Sequence, residues 1–269
     1  VSTMKALAAV SIRQYEQAAD SLDEFQRAIE LGMQVALRGL EDFTSTESDR
    51  EPASGAIVVL GSDQGMCGKF NQDVASFMAA SLAPALPPDK TRVWAVGERI
   101  AGLLAAQSWH IVRRFPVPGS TSGIPGLVQD LLFAMGDHAA LGSLHVVFNE
   151  RRSSSSYEPR HRRLLPLDRE WLTTLAAREW TGKCLAQIDG SAPDVFSHLV
   201  RQHLFVALYR AVAHSRAGEN ASRLAAMQAA ERNIEERLGE QKTQYHQSRQ
   251  SSITEEILDI VSGFTALSR

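Results

Sequence analysis

Both ends of the 269-residue chain are long segments in which helical spacing of apolar residues continues without a proline. In the first segment, from Val1 to about Phe43, every seventh residue is apolar: Ala8, Tyr15, Leu22, Ile29, Ala36 and Phe43. A heptad series of this kind is typical of a helix that packs along a second helix. At ~1.5 Å per residue the segment would be roughly 60 Å long, which is more than one compact domain can cover.

The interleaved heptad series of the first segment is smaller and mixed: Met4, Ser11, Ala18, Phe25, Gly32 and Gly39. Small residues on one side of a helix permit the backbone of a neighbour to come close. We therefore expect a tightly packed partner along residues 1–47, which we predict to be an N-terminal coiled-coil helix.

The last segment, residues 191–269, begins with the helix-start signature "SAPD", in which Ser191 can cap the helix and Pro193 falls in the first turn. If it is continuous, this helix is roughly 110 Å long and much longer than its partner. The two end segments are predicted to pair as an antiparallel coiled coil, with the C-terminal tip projecting alone. An exposed apolar tip is an aggregation hazard, so the sequence predicts a partner around it. The tip residues are Ile257, Ile260, Val261, Phe264 and Leu267.

Residues 53–190 alternate short β-rich runs such as "GAIVVL", "RVWAVG" and "LHVVFNE" with helical runs of ten to fifteen residues. This alternation is typical of a parallel sheet with right-handed crossovers. The stretch "RRSSSSYEPRHRRLLPL" reads as a hairpin-like extension. The predicted fold class is α/β: a small Rossmann-like domain with a mostly parallel sheet, carried on the long coiled coil.

The loop after the first strand, "LGSDQGMCGKFN", resembles a phosphate cradle. A P-loop would need a glycine where Asp63 stands and a serine or threonine where Phe70 stands. A carboxylate also has the wrong sign for a phosphate nest. The stretch is therefore interpreted as a structural turn containing Gly65, Cys67 and Gly68.

Net charge, cysteine spacing and the length of the apolar runs exclude several classes of protein. The formal net charge is −3, so no global basic field attracts nucleic acid. Cys67 and Cys184 form no C-x-x-C motif and read as free thiols of a reducing compartment. No run approaches the ~20 apolar residues of a membrane span, and the first residues lack a signal peptide. We expect a soluble chain that touches a membrane only through partners.

Two other features leave alternatives open. The basic stretch "YEPRHRRLL", with Arg151 and Arg152 before it, could contact RNA or could be a solvated strand edge. The polar stretch "SRQSSIT" inside the C-terminal helix could be merely solvated, or could be a contact face with Arg249 as a charge-assisted donor. The histidines show no metal-ligand spacing, and no catalytic, cofactor or metal site is predicted in this chain.

The stretch "YHQSRQSSITEEILDIVSGFTAL" resembles the C-terminal signature of the gamma subunit of F-type ATP synthases, and "GSDQGMCGKFN" resembles its strand-turn segment. "VSTMKALAAVSI" is similar to the family's N-terminal motif, so the resemblance covers essentially the whole chain. The family usually has arginine where Gln64 stands and asparagine where His246 stands. These departures favour a divergent gamma subunit, such as that of an alternative F-type ATPase. The chain also starts part-way into the family's first helix, as a trimmed chain would.

The resemblance implies a central rotor shaft that couples ion translocation to ATP synthesis or hydrolysis. It implies alpha and beta subunits around the apolar tip, an epsilon subunit and membrane c-ring beside the α/β domain, and a peripheral place on the cytoplasmic face of the bacterial plasma membrane. Arg249, Gln250, Thr254 and Glu255 match the family's polar contacts with the beta subunit. A different hypothesis is a nucleotide-binding α/β enzyme domain on a coiled-coil scaffold, and a third is an RNA-touching scaffold.

Overall fold

A computed structural model describes residues 1–40, 55–136, 141–152, 156–180, 184 and 187–267, with the side chains of the last helix described up to Phe264. The helices are α1 (Ser2–Asp20), α2 (Asp23–Arg38), α3 (Phe70–Phe77), α4 (Glu98–Ala106), α5 (Ile124–Met135), α6 (Arg169–Ala177) and α7 (Ala192–Leu267). The strands are β1 (Gly55–Leu60), β2 (Arg92–Val96), β3 (His110–Phe115), β4 (Ser143–Arg151) and β5 (Tyr157–Leu165).

The N-terminal helices and α7 run antiparallel, as predicted. Lys5 forms an ion pair with Glu231 near one end, and Asp23 forms one with Arg210 further along. The heptad series faces inward: Ala8, Tyr15, Ile29 and Ala36 are buried, and Leu22 packs against the core. Phe43 lies outside the described residues.

The small residues of the second series allow the predicted close approach. A Cβ atom added at Gly32 would lie 3.2 Å from the side chain of Leu199, and one at Gly39 would lie 3.2 Å from the Cβ of Ala192. These distances are shorter than ordinary van der Waals contact, so larger residues would push α2 away from α7.

The N-terminal segment is not one continuous helix, contrary to the prediction. It breaks at Ser21 and Leu22 into α1 and α2. The Ser21 hydroxyl donates to the carbonyl of Ala18 at 2.9 Å, and such local bonds compete with the helical ladder. Asp23 and Glu24 follow in the first turn of α2, where negative charge is favourable. The heptad pattern survives the break because the short turn keeps both helices along α7.

The five-stranded sheet has the order β3-β2-β1-β4-β5. The first four strands in the chain are parallel, and β5 pairs antiparallel with β4, which confirms the mostly parallel sheet and the hairpin-like extension. Every residue of β1 is buried, because the sheet is covered on both faces. One face packs against the coiled-coil helices and α5, and the other against α3 and α4.

Helix α6 had no counterpart in the sequence prediction. Its start is marked by Asp168, whose carboxylate accepts from the amides of Glu170 at 2.8 Å and Trp171 at 3.3 Å. Asp168 before "REWLTTLAA" is a recognisable N-cap, so the signal was present in the sequence.

Candidate functional site: a projecting helix and a closed crevice

Helix α7 leaves the rest of the protein after Glu231. From Arg232 to Phe264 every described residue is exposed, and this stretch of helix continues for about 50 Å at ~1.5 Å per residue. The predicted tip residues Ile257, Ile260, Val261 and Phe264 are 54 %, 71 %, 55 % and 75 % exposed. The side chain of Leu267 lies outside the described part. An apolar surface of this extent on a single helix points to a binding surface.

Two of the four polar residues of the candidate contact site, Gln250 and Thr254, share a face with the apolar tip. Gln250, Thr254, Ile257, Val261 and Phe264 follow one another at alternating intervals of four and three residues, which places them along one side of the helix. Arg249 and Ile260 lie eleven residues apart, about three helical turns, and so lie along one edge of this side. Glu255 does not belong to it, because it lies toward the opposite side.

Arg249, Gln250, Thr254 and Glu255 are all exposed on α7. Arg249 forms no ion pair within the described part of the chain, while Thr254 bonds back to the carbonyl of Gln250 at 2.8 Å. A charged donor without an internal partner, beside an apolar stripe, is suited to a charge-assisted contact with another chain.

The loop after β1 is held by a local network around Asn71. The amide of Ser62 donates to Asn71 Oδ1 at 2.9 Å, and Asn71 Nδ2 donates to the Ser62 hydroxyl at 2.8 Å. The Cys67 side chain is buried, with its thiol 3.5 Å from that hydroxyl. Gly68 has a φ of +57°, and the second residue with positive φ in this loop is Met66 rather than Gly65.

The Asp63 carboxylate in this loop caps the start of helix α4, which follows β2. One carboxylate oxygen accepts from the amide of Glu98, at the start of α4, at 3.0 Å, and the other accepts from the amide of Val117 at 2.8 Å. A helix N-terminus favours an anion, and here the protein supplies its own.

Helix α7 closes the crevice where a Rossmann-like domain binds its ligand. That crevice lies beyond the carboxyl ends of the strands at which the sheet order reverses, which here are β1 and β4. A Cβ atom added at Gly218 would lie 3.0 Å from the carbonyl oxygen of Asn149 at the end of β4. One turn further along, the Ser222 hydroxyl donates to the carbonyl of Cys67. The geometry therefore does not support the nucleotide-binding enzyme hypothesis.

Two of the three arginines of the basic strand β5 pair with neighbouring carboxylates. Arg160 and Arg162 each lie 3.1 Å from a carboxylate oxygen of Glu150, and Arg160 also pairs with Glu158 at 2.8 Å. Arginines already paired with carboxylates offer little to phosphates, so the RNA-touching scaffold hypothesis has no support here.

Two histidines lie side by side on β4 and β5. His145 Nδ1 and His161 Nε2 are 2.7 Å apart, and the rings stack with centroids 5.0 Å apart. Burial, followed by the charge of His161 and of Arg163, lowers the pKa of His145 to about 4. Across the described residues no group of three or more potential ligands could hold a metal ion. Among the described helices, none has the length and apolar character needed to cross a membrane.

Comparison with known proteins identifies the family to which a chain with this fold and projecting helix belongs. Residues 1–267 match the sequence model of a family described as ATP synthase. The chain belongs to the ATP synthase family. It is 26 % identical to the ATP synthase gamma chain of Paramagnetospirillum magneticum, over 99 % of this chain and 93 % of that protein. It is 28 % identical to the ATP synthase gamma chain of Salinibacter ruber, over 81 % of this chain and 76 % of that protein.

Solved structures show the same fold. The central stalk and c-ring structure of the Tetrahymena thermophila mitochondrial ATP synthase contains a chain that matches with a TM-score of 0.61 and 18 % identity, covering 86 % of this chain and 98 % of that one. A chain of the Euglena gracilis mitochondrial ATP synthase matches with a TM-score of 0.57 and 16 % identity, covering 99 % of this chain and 95 % of that one. The family and the predicted fold class are thus confirmed, and the matches support the predicted role of central rotor shaft.

Proposed function

We propose that this chain turns inside a ring of three alpha and three beta subunits and couples ion flow to nucleotide chemistry on those subunits. The observation that carries the proposal is the solitary stretch of α7 beyond Glu231, exposed on every side and apolar along one face. Such a helix fits a sleeve made by other chains. The residues proposed to turn in that sleeve are Ile257, Ile260, Val261, Phe264 and Leu267.

The mechanism rests on the asymmetry of this helix. A shaft with one apolar face and one polar face presents a different surface to each surrounding beta subunit. It therefore stabilises a different conformation in each of them, and each ~1.4 kcal/mol of difference changes nucleotide affinity tenfold. Rotation then tightens and releases nucleotide in turn, while this chain supplies no catalytic group.

The other partners are proposed from the family. The α/β domain would lie beside an epsilon subunit and a membrane c-ring, so the chain would be held at the membrane as a peripheral subunit. In a bacterium that position is the cytoplasmic face of the plasma membrane. Co-purification from a native preparation tests these partners directly, because alpha, beta and epsilon subunits and the c-ring should come with the chain. Their absence from an intact preparation would contradict the proposal.

Arg249 and Gln250 are proposed to contact the moving lobe of a beta subunit, with Thr254 and Glu255 close by. Arg249→Ala or Gln250→Ala should lower ATP turnover by the assembled complex. A hydrogen bond to a charged group contributes about 1.5–3 kcal/mol, so we expect a loss of roughly ten- to a hundredfold for Arg249→Ala. Steady-state ATP hydrolysis by the purified complex measures it.

Arg237→Ala is the matched control for that experiment, because Arg237 is also exposed on the solitary part of α7 but lies about three turns nearer the α/β domain than Arg249. The control should turn over ATP at close to the unmodified rate. Equal activity of the Arg249→Ala, Gln250→Ala and control complexes would contradict the proposed contacts without touching the shaft role.

A further inference from the structure

The contact between α7 and the carboxyl ends of β1 and β4 is polar and directional. Ser222 is buried, and its hydroxyl donates to the carbonyl of Cys67 in the loop after β1. Four residues earlier, Gly218 brings the α7 backbone against the carbonyl of Asn149 at the end of β4. Residues four apart lie on the same side of a helix, so one side of α7 is held at two points by two adjacent strands.

The loop that receives Ser222 is itself fixed to the domain. The Ser62–Asn71 pair described above closes the loop on itself, and Asn149 Nδ2 donates to the carbonyl of Phe70 at 2.8 Å. The Asn149 side chain thereby ties the loop to β4. The acceptor of the Ser222 bond therefore lies in a loop that is fixed to the sheet by hydrogen bonds.

Tyr157, at the start of β5, supports the same corner. Its ring packs edge-on against Phe70 with centroids 5.4 Å apart, and its hydroxyl donates to Asp73 in α3 at 2.8 Å. Three parts of the α/β domain thus converge on the few residues of α7 around Ser222.

Directional contacts matter for a rotating helix because apolar packing is non-directional. Close-packed apolar side chains already resist rotation of a helix about its own axis, and a hydrogen bond adds a fixed direction at one point. A hydrogen bond to a fixed carbonyl, together with a close backbone contact one turn away, sets the angle of the helix relative to the sheet.

We propose that Gly218 and Ser222, with the Cys67 loop and Asn149, form the joint that carries torque between the α/β domain and the shaft. Ser222 is a positioning residue: it fixes the angular position of the tip relative to the domain. The inference rests on the proposed rotor function. If the joint loosens, rotation of the tip can still accompany nucleotide turnover. The α/β domain then turns through a smaller angle than the tip.

The two cysteines allow a test on the isolated chain that needs no activity. Cys67 is buried in the joint loop and Cys184 is exposed. A chromogenic disulfide reagent, followed by absorbance, should therefore modify Cys184 quickly and Cys67 slowly. Loss of one buried hydrogen bond costs about 1 kcal/mol, which is about a fivefold change in the population of the open loop. Ser222→Ala should raise the reaction rate of Cys67 by about that factor and leave that of Cys184 unchanged.

The matched control is Ser197→Ala, an exposed serine on the same helix, which should leave both rates unchanged. Ser222→Thr keeps the hydroxyl and should restore slow modification of Cys67. Equal Cys67 rates in Ser222→Ala and Ser197→Ala would overturn the joint, and so would a Ser222→Thr variant as fast as Ser222→Ala.

The assembled complex in membrane vesicles supplies the functional test. Ser222→Ala should lower the number of ions moved per ATP hydrolysed while hydrolysis continues, and Ser197→Ala should not. An unchanged ratio in Ser222→Ala would overturn the joint while leaving the rotor function intact. Failure of the unmodified chain to assemble with alpha and beta subunits would overturn the rotor function and the joint with it.

Discussion

Buried charge is concentrated where α7 lies between α1 and the sheet. Glu219 is 2 % exposed and forms ion pairs with both Arg216 and Arg223. Arg223 Nη2 lies 2.6 Å from Glu219 Oε1. The Arg216 guanidinium also lies over the ring of Tyr15 in α1, 5.2 Å from its centroid. One carboxylate thus compensates two largely buried arginines, and one of these reaches the partner helix.

Removing that carboxylate should be costly. Glu219→Ala leaves two arginines without their counter-charge, and breaking a buried pair in this way costs about 3–5 kcal/mol. We expect the free energy of unfolding, measured by urea titration, to fall by roughly that amount. Glu235→Ala, on the exposed part of α7, should change it by less than ~0.5 kcal/mol. Similar losses in the two variants would contradict a special role for Glu219.

The His145–His161 pair predicts a dependence of stability on pH. In the folded chain the pKa of His145 is lowered from 6.5 to about 4, first by burial. The unfolded chain therefore binds more protons between these values, so the stability is present above pH 6.5 and is lost as the pH falls toward 4. His145→Gln should make the free energy of unfolding less steeply dependent on pH in that window.

The control for that titration is His246→Gln, because His246 is exposed on the solitary part of α7. It should keep the pH dependence of the unmodified chain. A His145→Gln variant with the same slope as the control would show that His145 does not contribute to it.

At the scale of the elements, α7 is one helix in two different environments. Up to Glu231 it packs against α1, α2 and the sheet, and beyond that residue every described residue is exposed. Most helical stability in proteins comes from packing of an apolar face rather than from propensity. The projecting part is therefore expected to be helical but locally weak until other chains surround it.

Truncation after Glu231 tests this division. Removing the projecting part should reduce helix content, measured by circular dichroism, and leave the unfolding of the α/β domain unchanged, followed by fluorescence of the buried Trp94 and Trp109. The expected change in the free energy of unfolding is less than ~0.5 kcal/mol. A loss of several kcal/mol would mean that the projecting part packs against the rest of the chain.

For the whole molecule, the apolar tip should govern association of the isolated chain. Four exposed apolar residues at the end of a single helix form a contiguous surface that water solvates poorly. A double variant, Ile260→Ser with Phe264→Ser, should reduce self-association in sedimentation velocity at concentrations where the unmodified chain associates. Phe133→Ser is the control, because Phe133 is 80 % exposed on α5, outside the tip. Equal effects of the two changes would contradict the tip as the surface responsible.

Local sequence patterns predicted most of the architecture, except helix α6 and the break between α1 and α2. Heptads from Ala8 to Ala36 and the uninterrupted helical pattern after Pro193 predicted two long helices, because helix packing follows a local period that can be read in one dimension. Runs such as "GAIVVL" predicted a buried parallel strand for the same reason. The exposed tip was predicted because the C-terminal segment is longer than the N-terminal one. The resemblance to the F-type gamma subunit rested on short motifs such as "GSDQGMCGKFN".

The tertiary structure alone decided the role of the loop that contains Cys67. Its glycine spacing argued against a P-loop, but no local pattern could show that α7 would enter the crevice through Gly218 and Ser222, about 150 residues away in the chain. The Glu219 network, which reaches Tyr15 of α1 through Arg216, was hidden in the same way. Contacts between distant segments depend on how the helices cross the sheet, and that geometry has no signature in local periodicity.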